Sequence, residues 1–297
     1  MTAGQRTALR FDGVSVVKGR RRLVSDVSFD VRAGAVHALL GHNGAGKTTL
    51  MRAVAGQVPV RRGRVEGADG AAVLFVGARF PRDLTVSRIV EHRVRLLGGR
   101  VDRWALEALG VGAFGGHRAG TLSTGMAQRL AIGLAMLSGA SVLVLDEPTT
   151  GLDPQGVEGL RDVVLRLRDR GTTVVLCSHD LAELELVCDE VTCLRRGRLS
   201  VSGTVDEVCA GVPRTGHVLR TEDDARAVAH LDAHGVRCER TARGVRTPAD
   251  VPVTRVLEVL AGAVPVREVG VDRALFTRVY DRYASAPDPL TGRRAGR

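Results

Sequence analysis

Eight consecutive residues constrain this chain more than any other part of it. Gly41-His42-Asn43-Gly44-Ala45-Gly46-Lys47-Thr48 matches the spacing GxxxxGK[ST], follows an apolar run from Ala35 to Leu40, and opens a stretch of helical spacing. Glycines at these places let successive backbone N–H groups turn inward around an anion, and the N-terminus of the following helix adds its partial positive charge. Such a loop needs a buried strand before it and a helix after it, so it commits its surroundings to α/β layering. In that geometry Lys47 reaches the β- and γ-phosphates of a nucleotide, the Thr48 hydroxyl ligates Mg²⁺, and Thr49 completes the binding segment.

Further apolar runs predict short buried strands at Ala72 to Val76, Ser141 to Leu145 and Thr172 to Cys177, with helical spacing between them. This alternation predicts a layered α/β fold around a largely parallel sheet. From Asp83 to Ser138 the pattern is mostly helical, as expected of a helical subdomain inserted at about 83–138. Near Gly203 the character changes. Thr204 and Glu207 have the TxxE spacing of a capping box that opens a short helix, and a Gly/Pro stretch follows at Gly211 to Gly216. The expected division is a main domain over 1–210, a small C-terminal α/β extension over 211–284, and a disordered tail over 285–297. Helices are expected in the extension at Glu222 to His234, Val253 to Ala261 and Val271 to Tyr283.

Composition narrows the function classes. With 297 residues, 44% apolar and 26% charged, the chain is neither disordered nor a disulfide scaffold. Its longest uncharged stretch, Leu130 to Leu145, is 16 residues and falls short of the roughly 20 that a membrane span needs. The N-terminal MTAGQRTALRFDG lacks the apolar core of a signal peptide, so a cytoplasmic location is expected. Five cysteines without a CxxC pair fit reduced thiols better than disulfides or a zinc site. The net charge of +10 comes from 41 arginines and only two lysines, Lys18 and Lys47, spread along the chain. An aromatic share of 3% provides few stacking rings, and no nucleic-acid partner is expected.

Four later segments carry chemistry. SVLVLDEP delivers Asp146 and Glu147 to the carboxyl edge of the sheet, where ligands of open α/β folds bind. Asp146 is placed to bind Mg²⁺ through water, and Glu147 to polarise an attacking water as general base. In Leu122-Ser123-Thr124-Gly125-Met126-Ala127-Gln128-Arg129, Ser123 can cap a helix with Leu130, Leu134 and Leu137 on one face, building a second anion-attracting helix N-terminus. Gly151-Leu152-Asp153-Pro154 offers Asp153 as N-cap and Pro154 at the first position of a helix bearing Val157, Leu160, Val164 and Leu167. His179 closes the run TTVVLCSHD.

In this order, across about Ala8 to Gly203, the segments resemble the ATP-binding subunit of ATP-binding cassette (ABC) transporters, and look most like single-cassette ATPases of drug and antibiotic exporters. The resemblance implies a P-loop NTPase cassette: a RecA-like core with a mostly parallel sheet, an antiparallel β subdomain and an inserted helical subdomain. Residues Gly41, His42, Asn43, Gly44, Ala45, Gly46, Lys47, Thr48 and Thr49 would bind ATP, with Thr48 and Asp146 at Mg²⁺ and with Glu147 and the switch histidine His179 as catalytic groups. Ser123, Thr124, Gly125 and Met126 resemble the LSGGQ signature in an LSTGM form, which in the family completes the site of the opposite subunit, and Asp153 resembles the D-loop aspartate. A head-to-tail homodimer is implied, or a heterodimer with a second cassette subunit. ATP hydrolysis would then power transport, in the direction of export, of a small molecule, drug or lipid through a separate integral membrane partner that holds the chain at the inner face of the cell membrane. Two other readings stay open: a soluble cassette ATPase acting on ribosomes or nucleic acid, and a degenerate cassette paired with a different active subunit. The extension either strengthens dimerisation or senses a signal.

The chain departs from the family pattern twice. The family's glutamine after the strand that follows the phosphate loop has no counterpart in Ala72-Val73-Leu74-Phe75-Val76-Gly77-Ala78-Arg79, where Gly77 takes its place. The ring that stacks on adenine is also missing, with Lys18 or Val17 at that point. Both losses predict weaker ATP binding than an intact site. Lys18 either approaches the nucleotide or is solvated. In the solvated case, Lys18→Ala leaves the ATP dissociation constant unchanged in an equilibrium nucleotide titration.

Overall fold

The computed structural model describes residues 6–99, 102–212, 216–241, 244–271 and 275–284. These divide into two compact units, one formed by Met1–Cys209 with Val279–Arg297 and the other by Ala210–Arg278.

In the first unit, β1 (Thr7–Lys18) and β2 (Arg21–Arg32) form a hairpin. β3 (Val36–Leu40) leads through the glycine-rich loop into α1 (Lys47–Val54), and β4 (Arg62–Glu66) returns to pair with β1. The three-stranded antiparallel sheet has the order β2-β1-β4. β5 (Ala72–Leu74) is followed by the helical insert: α2 (Val86–Leu96), α3 (Trp104–Ala108) and α4 (Thr124–Met136). The chain then alternates through β6 (Val142–Asp146), α5 (Pro154–Asp169), β7 (Thr173–Cys177), α6 (Leu181–Val187), β8 (Glu190–Arg195), β9 (Arg198–Thr204) and α7 (Val205–Ala210), whose last residue falls in the second unit. The second sheet has the order β5-β6-β7-β3-β8-β9, parallel except for β9.

β3, β6 and β7 are buried at every position, which explains why the sequence shows continuous apolar runs there instead of alternation. The antiparallel sheet covers this layer through a shared core in which Phe11 stacks on Phe29 at 4.4 Å and Leu39, Leu50, Met51, Val144 and Leu194 are buried. Burial of this kind contributes about 1.5–3 kcal/mol per large side chain, and here it clamps β3 and α1 on either side of the glycine-rich loop. The insert is closed at its base, where the Val86 N–H donates to the His117 carbonyl (3.0 Å) and the Ala119 N–H to that of Leu84 (2.9 Å). The guanidinium groups of Arg166 (5.2 Å) and Arg170 (5.1 Å) both lie over the Trp104 ring of α3, joining the insert to the C-terminal end of α5 through cation–π contacts. The capping box forms as its spacing predicts: the Thr204 N–H donates to Glu207 (2.8 Å) and the Glu207 N–H to the Thr204 hydroxyl (3.3 Å).

The second unit contains β10 (His217–Thr221), α8 (Asp224–Ala233), β11 (Glu239–Thr241), β12 (Gly244–Thr247), α9 (Val253–Leu260), β13 (Val266–Val271) and α10 (Leu275–Val279), whose last residue falls in the first unit. Its antiparallel sheet, in the order β11-β12-β10-β13, and the helices α8 and α9 enclose a core of Leu219, Ala227, Leu231, Val245, Val256 and Leu260.

Three sequence expectations shift. The strand expected over Ala72 to Val76 stops at Leu74, because β5 is an edge strand that pairs with β6 only as far as Leu145, and Val76 is left exposed. The helix expected over Val271 to Tyr283 begins later. Val266 to Val271 (VREVGV) is rich in β-branched residues and pairs with β10, so Val271 ends a strand. The π-type turn at Tyr280–Ala284 lies beside β8 and β9 and belongs to the first unit, where the sequence placed it in the extension. The tail over 285–297 lies outside the described residues.

Leu231 is fully buried between α8 and the sheet of the second unit. Leu231→Ala is expected to destabilise that unit by about 2–5 kcal/mol, read as a lowered urea midpoint with unchanged slope.

Candidate active site

The glycine-rich loop is shaped by contacts that exclude side chains. Gly41, Gly44 and Gly46 have φ of 155°, 82° and 109°. A Cβ on Gly41 would lie 2.7 Å from the Leu194 carbonyl oxygen and 2.8 Å from the Ala45 Cβ, and one on Gly46 would press on Val24 at 3.1 Å. The loop thus sits against β2 on one side and the β8–β9 turn on the other. That turn is fastened by two backbone hydrogen bonds: the Gly197 N–H donates to the Ala45 carbonyl (2.9 Å), and the Ser25 N–H to the Gly197 carbonyl (2.7 Å).

Lys47 is buried, and its ammonium donates to the Gly41 carbonyl and to the His42 carbonyl (3.5 Å), spanning the loop from within. The loop bounds a cavity of about 510 Å³ lined by Arg21, Arg22, Leu23, His42 through Thr49, and Arg196. A glycine-rich loop, a helix N-terminus and cationic side chains suit a polyphosphate, and no carboxylate is among the lining residues to repel one.

Asp146, at the end of β6, is buried, with the Thr48 hydroxyl near enough to favour its charged form. Burial raises its carboxyl above the ordinary aspartate range, against the opposing pull of Lys47, the Thr48 hydroxyl, Arg52 and His179. A hydroxyl and a carboxylate are the hard oxygen donors that Mg²⁺ prefers, and among the described residues no group of three or more His, Cys, Asp or Glu could hold a metal. The donor set therefore fits an ion whose remaining ligands are water and phosphate.

The parallel register sets Asp146 opposite Cys177, so the residues after β6 and β7 emerge side by side. Glu147 has φ of 46°, a left-handed conformation that costs a non-glycine residue about 1–2 kcal/mol. Its N–H donates to the Cys177 carbonyl (2.7 Å), and its carboxylate accepts from the His179 N–H (3.1 Å) while the ring Nε2 lies 3.2 Å from Oε1. Strain held by such a set of bonds is characteristic of functional positions.

Ser123, Thr124, Gly125, Met126 and Asp153 form a second cluster that does not line the cavity. Ser123 caps α4 by accepting from the Met126 N–H (3.2 Å), and Ser123 and Thr124 are exposed. A Cβ on Gly125 would lie 2.6 Å from the Gly151 carbonyl oxygen, so the start of α4 packs directly on the segment leading to α5. Asp153 accepts from the Gly156 N–H (3.0 Å) and pairs with Arg129, which hold its carboxyl below the usual range. Gln128, buried, donates to the Pro148 carbonyl (3.2 Å) and fixes the cluster to the segment that carries Glu147.

Lys18 and Val17 do not line the cavity, and Gly77 is exposed with φ of 78° and open space around it. The sequence did not point to Arg21, Arg22 or Arg196. Their proximity depends on two hairpin turns far apart in the chain, and an arginine-rich sequence offers no local contrast to mark them.

Residues 24–150 match the family model described as ABC transporter. The chain is 33% identical over 288 residues to the daunorubicin resistance ATP-binding protein DrrA3 of Streptomyces coeruleorubidus, covering 90% of each. It is 36% identical over 200 residues to the zinc import ATP-binding protein ZnuC of Halorhodospira halophila (66% of this chain, 76% of that one). It is also 36% identical over 215 residues to the arabinose import ATP-binding protein AraG of Chromohalobacter salexigens, covering 64% of this chain and 43% of that protein. The solved structure of an ATP-binding subunit of an ABC transporter superposes with a TM-score of 0.61 at 26% identity, over 69% of this chain and 92% of that one. The chain belongs to the ATP-binding subunits of ABC transporters, and it is an ATPase of that class.

A carboxyl whose pKa is raised on folding takes up protons as the chain folds, so its favourable contribution is present at low pH and is lost as pH rises through the folded-state pKa. Ionised Asp146 therefore opposes folding at neutral pH. Asp146→Asn is expected to raise the melting temperature at pH 7, with the gain shrinking toward pH 4 in scanning calorimetry, while ATP hydrolysis is lost.

Proposed function

We propose that this chain powers export of a small molecule, drug or lipid through a separate membrane-spanning partner, acting as a dimer with two ATP molecules at shared sites. One observation carries the direction: the match to the drug-resistance protein runs over 90% of this chain, whereas the matches to the zinc and arabinose import proteins run over 66% and 64%. The first unit is read as the ATP-binding cassette and the second as an accessory domain that strengthens the dimer. Among the described residues no helix is long and apolar enough to cross a membrane, so the pathway is assigned to the partner, which would hold the chain at the inner membrane face.

In this reading the loop N–H groups and Lys47 would hold the β- and γ-phosphates, and Thr48 and Asp146 would hold Mg²⁺, which would neutralise charge on the transferring group. Glu147 takes the proton of the attacking water. In the structure its carboxylate is held by His179. His179 turning to the γ-phosphate frees Glu147 for that water and couples catalysis to the presence of ATP. The exposed Ser123 cap at the start of α4 faces no phosphate in its own chain, so a second copy is needed to bring it to the site. Asp153 lies beside that cap at the same junction.

Glu147→Gln is expected to retain ATP while lowering turnover by about 10²–10⁴. Isolated with ATP and Mg²⁺ from gently solubilised cells, this variant should carry a polytopic membrane protein. Ribosomes or nucleic acid in its place would overturn the transport reading.

A further inference from the structure

Three arginines from two distant turns meet at the phosphate cavity, and none belongs to a motif. Arg21 and Arg22 open β2 directly after the β1–β2 turn, and Arg196 occupies the β8–β9 turn with φ of 50°, a conformation that the Gly197 bonds to Ala45 and Ser25 hold in place. Arg22 donates to the Ser25 hydroxyl (3.2 Å). A guanidinium carries five donors, so this bond orients Arg22 without exhausting it. Backbone contact fixes the two turns against each other: a Cβ on Gly197 would collide with the Leu23 carbonyl, and one on Gly46 would lie 3.3 Å from that same oxygen.

The rest of the lining sharpens the point. Beside the three arginines stand Lys47 and the loop backbone, with no Phe, Tyr, Trp, Asp or Glu. The single ring, His42, engages the Asn43 carbonyl through Nδ1 at 2.7 Å. The cavity therefore offers dense positive charge to phosphate and no broad ring to a purine. Guanidinium forks match phosphate oxygens in pairs, which an ammonium does not.

We propose that Arg21, Arg22 and Arg196 form a cationic rim that binds the nucleotide by its phosphate chain, so that the site selects for the number of phosphates and does not read the base. The expected ligand class is nucleoside triphosphates in general, ATP and GTP alike. The proposal rests on the reading of this cavity as the nucleotide site and adds to it how selectivity arises. The missing stacking ring then costs affinity at the base end, and the rim offsets it at the other.

The test is displacement of a fluorescent ATP analogue from the full chain by ATP, GTP, ADP and inorganic tripolyphosphate. ATP and GTP should bind within about threefold of each other, and tripolyphosphate should compete. Arg22→Ala and Arg196→Ala should each weaken ATP and tripolyphosphate by the same factor, about tenfold, and Arg22→Lys should weaken both by less. A tenfold preference for ATP over GTP would overturn the proposal, as would variants that weaken ATP without weakening tripolyphosphate or that change neither. Because Arg196 sits in a strained turn, the unmodified chain gives a readout free of folding effects: its ATP affinity should fall about tenfold between 0.05 and 0.5 M salt as the charges are screened. Salt-independent binding would sink the proposal. An unmodified chain that binds no nucleotide, as expected only of Lys47→Ala, would instead show that the nucleotide reading had failed.

Discussion

The hydrogen bond from the Gly197 N–H to the Ala45 carbonyl, with the Ser25 N–H held by the Gly197 carbonyl, joins segments that are far apart in sequence. A glycine-rich loop is entropically expensive to order, because glycine loses more backbone freedom than any other residue. The cost is met by packing the loop on both sides, with Val24 and Leu23 from the antiparallel sheet and the β8–β9 turn from the edge of the parallel one. The loop is therefore shaped before a ligand arrives, and its shape depends on both sheets being formed. The buried Lys47 follows from the same arrangement. Its ammonium satisfies the carbonyls of Gly41 and His42 from inside the loop, so the buried charge is hydrogen-bonded.

The geometry around Glu147 and His179 is set by strand register. A shift of one residue between β6 and β7 would reverse the face of every side chain on the moving strand. In the observed register Asp146 opposes Cys177, Glu147 donates its N–H to the Cys177 carbonyl, and His179 arrives within reach of the Glu147 carboxylate. The left-handed backbone of Glu147 turns the chain sharply at the strand end and points it toward Pro148, whose carbonyl holds Gln128. The segment that carries Glu147 and the start of α4 are thus connected by one buried hydrogen bond.

What the sequence made legible was backbone chemistry. Gly41 to Thr48, the capping box at Thr204 and Glu207, and the Asp153-Pro154 helix start are specified by residue types whose local geometry is nearly forced. The continuous apolar runs of β3, β6 and β7 likewise announced strands buried on both faces. Element ends were less legible. β5 ends at Leu74, where its pairing with β6 stops at Leu145, and no residue near Phe75 signals that. The helix expected over Val271 to Tyr283 overlaps the strand VREVGV only at Val271, which pairs with His217 of β10. Arg21, Arg22 and Arg196 were invisible for a third reason: their significance lies in the meeting of two turns, and 41 arginines in the chain hide three.

The two clusters of the first unit make opposite use of charge. Around the phosphate loop, cations gather without a lining carboxylate, an arrangement whose self-repulsion is tolerable because the groups at the rim are solvated and an anionic ligand relieves it. At the start of α4, Arg129 is already neutralised by Asp153, and the helix presents its N-terminus and the Ser123 hydroxyl without a competing fixed charge nearby in its own capping bonds. A surface built this way attracts phosphate weakly alone. It contributes strongly only when an anion is already held on another surface and is partly desolvated by the approach, since electrostatic interactions strengthen as water is excluded. On the reading proposed above, one cluster would capture the nucleotide, and the other would gain its effect from closure.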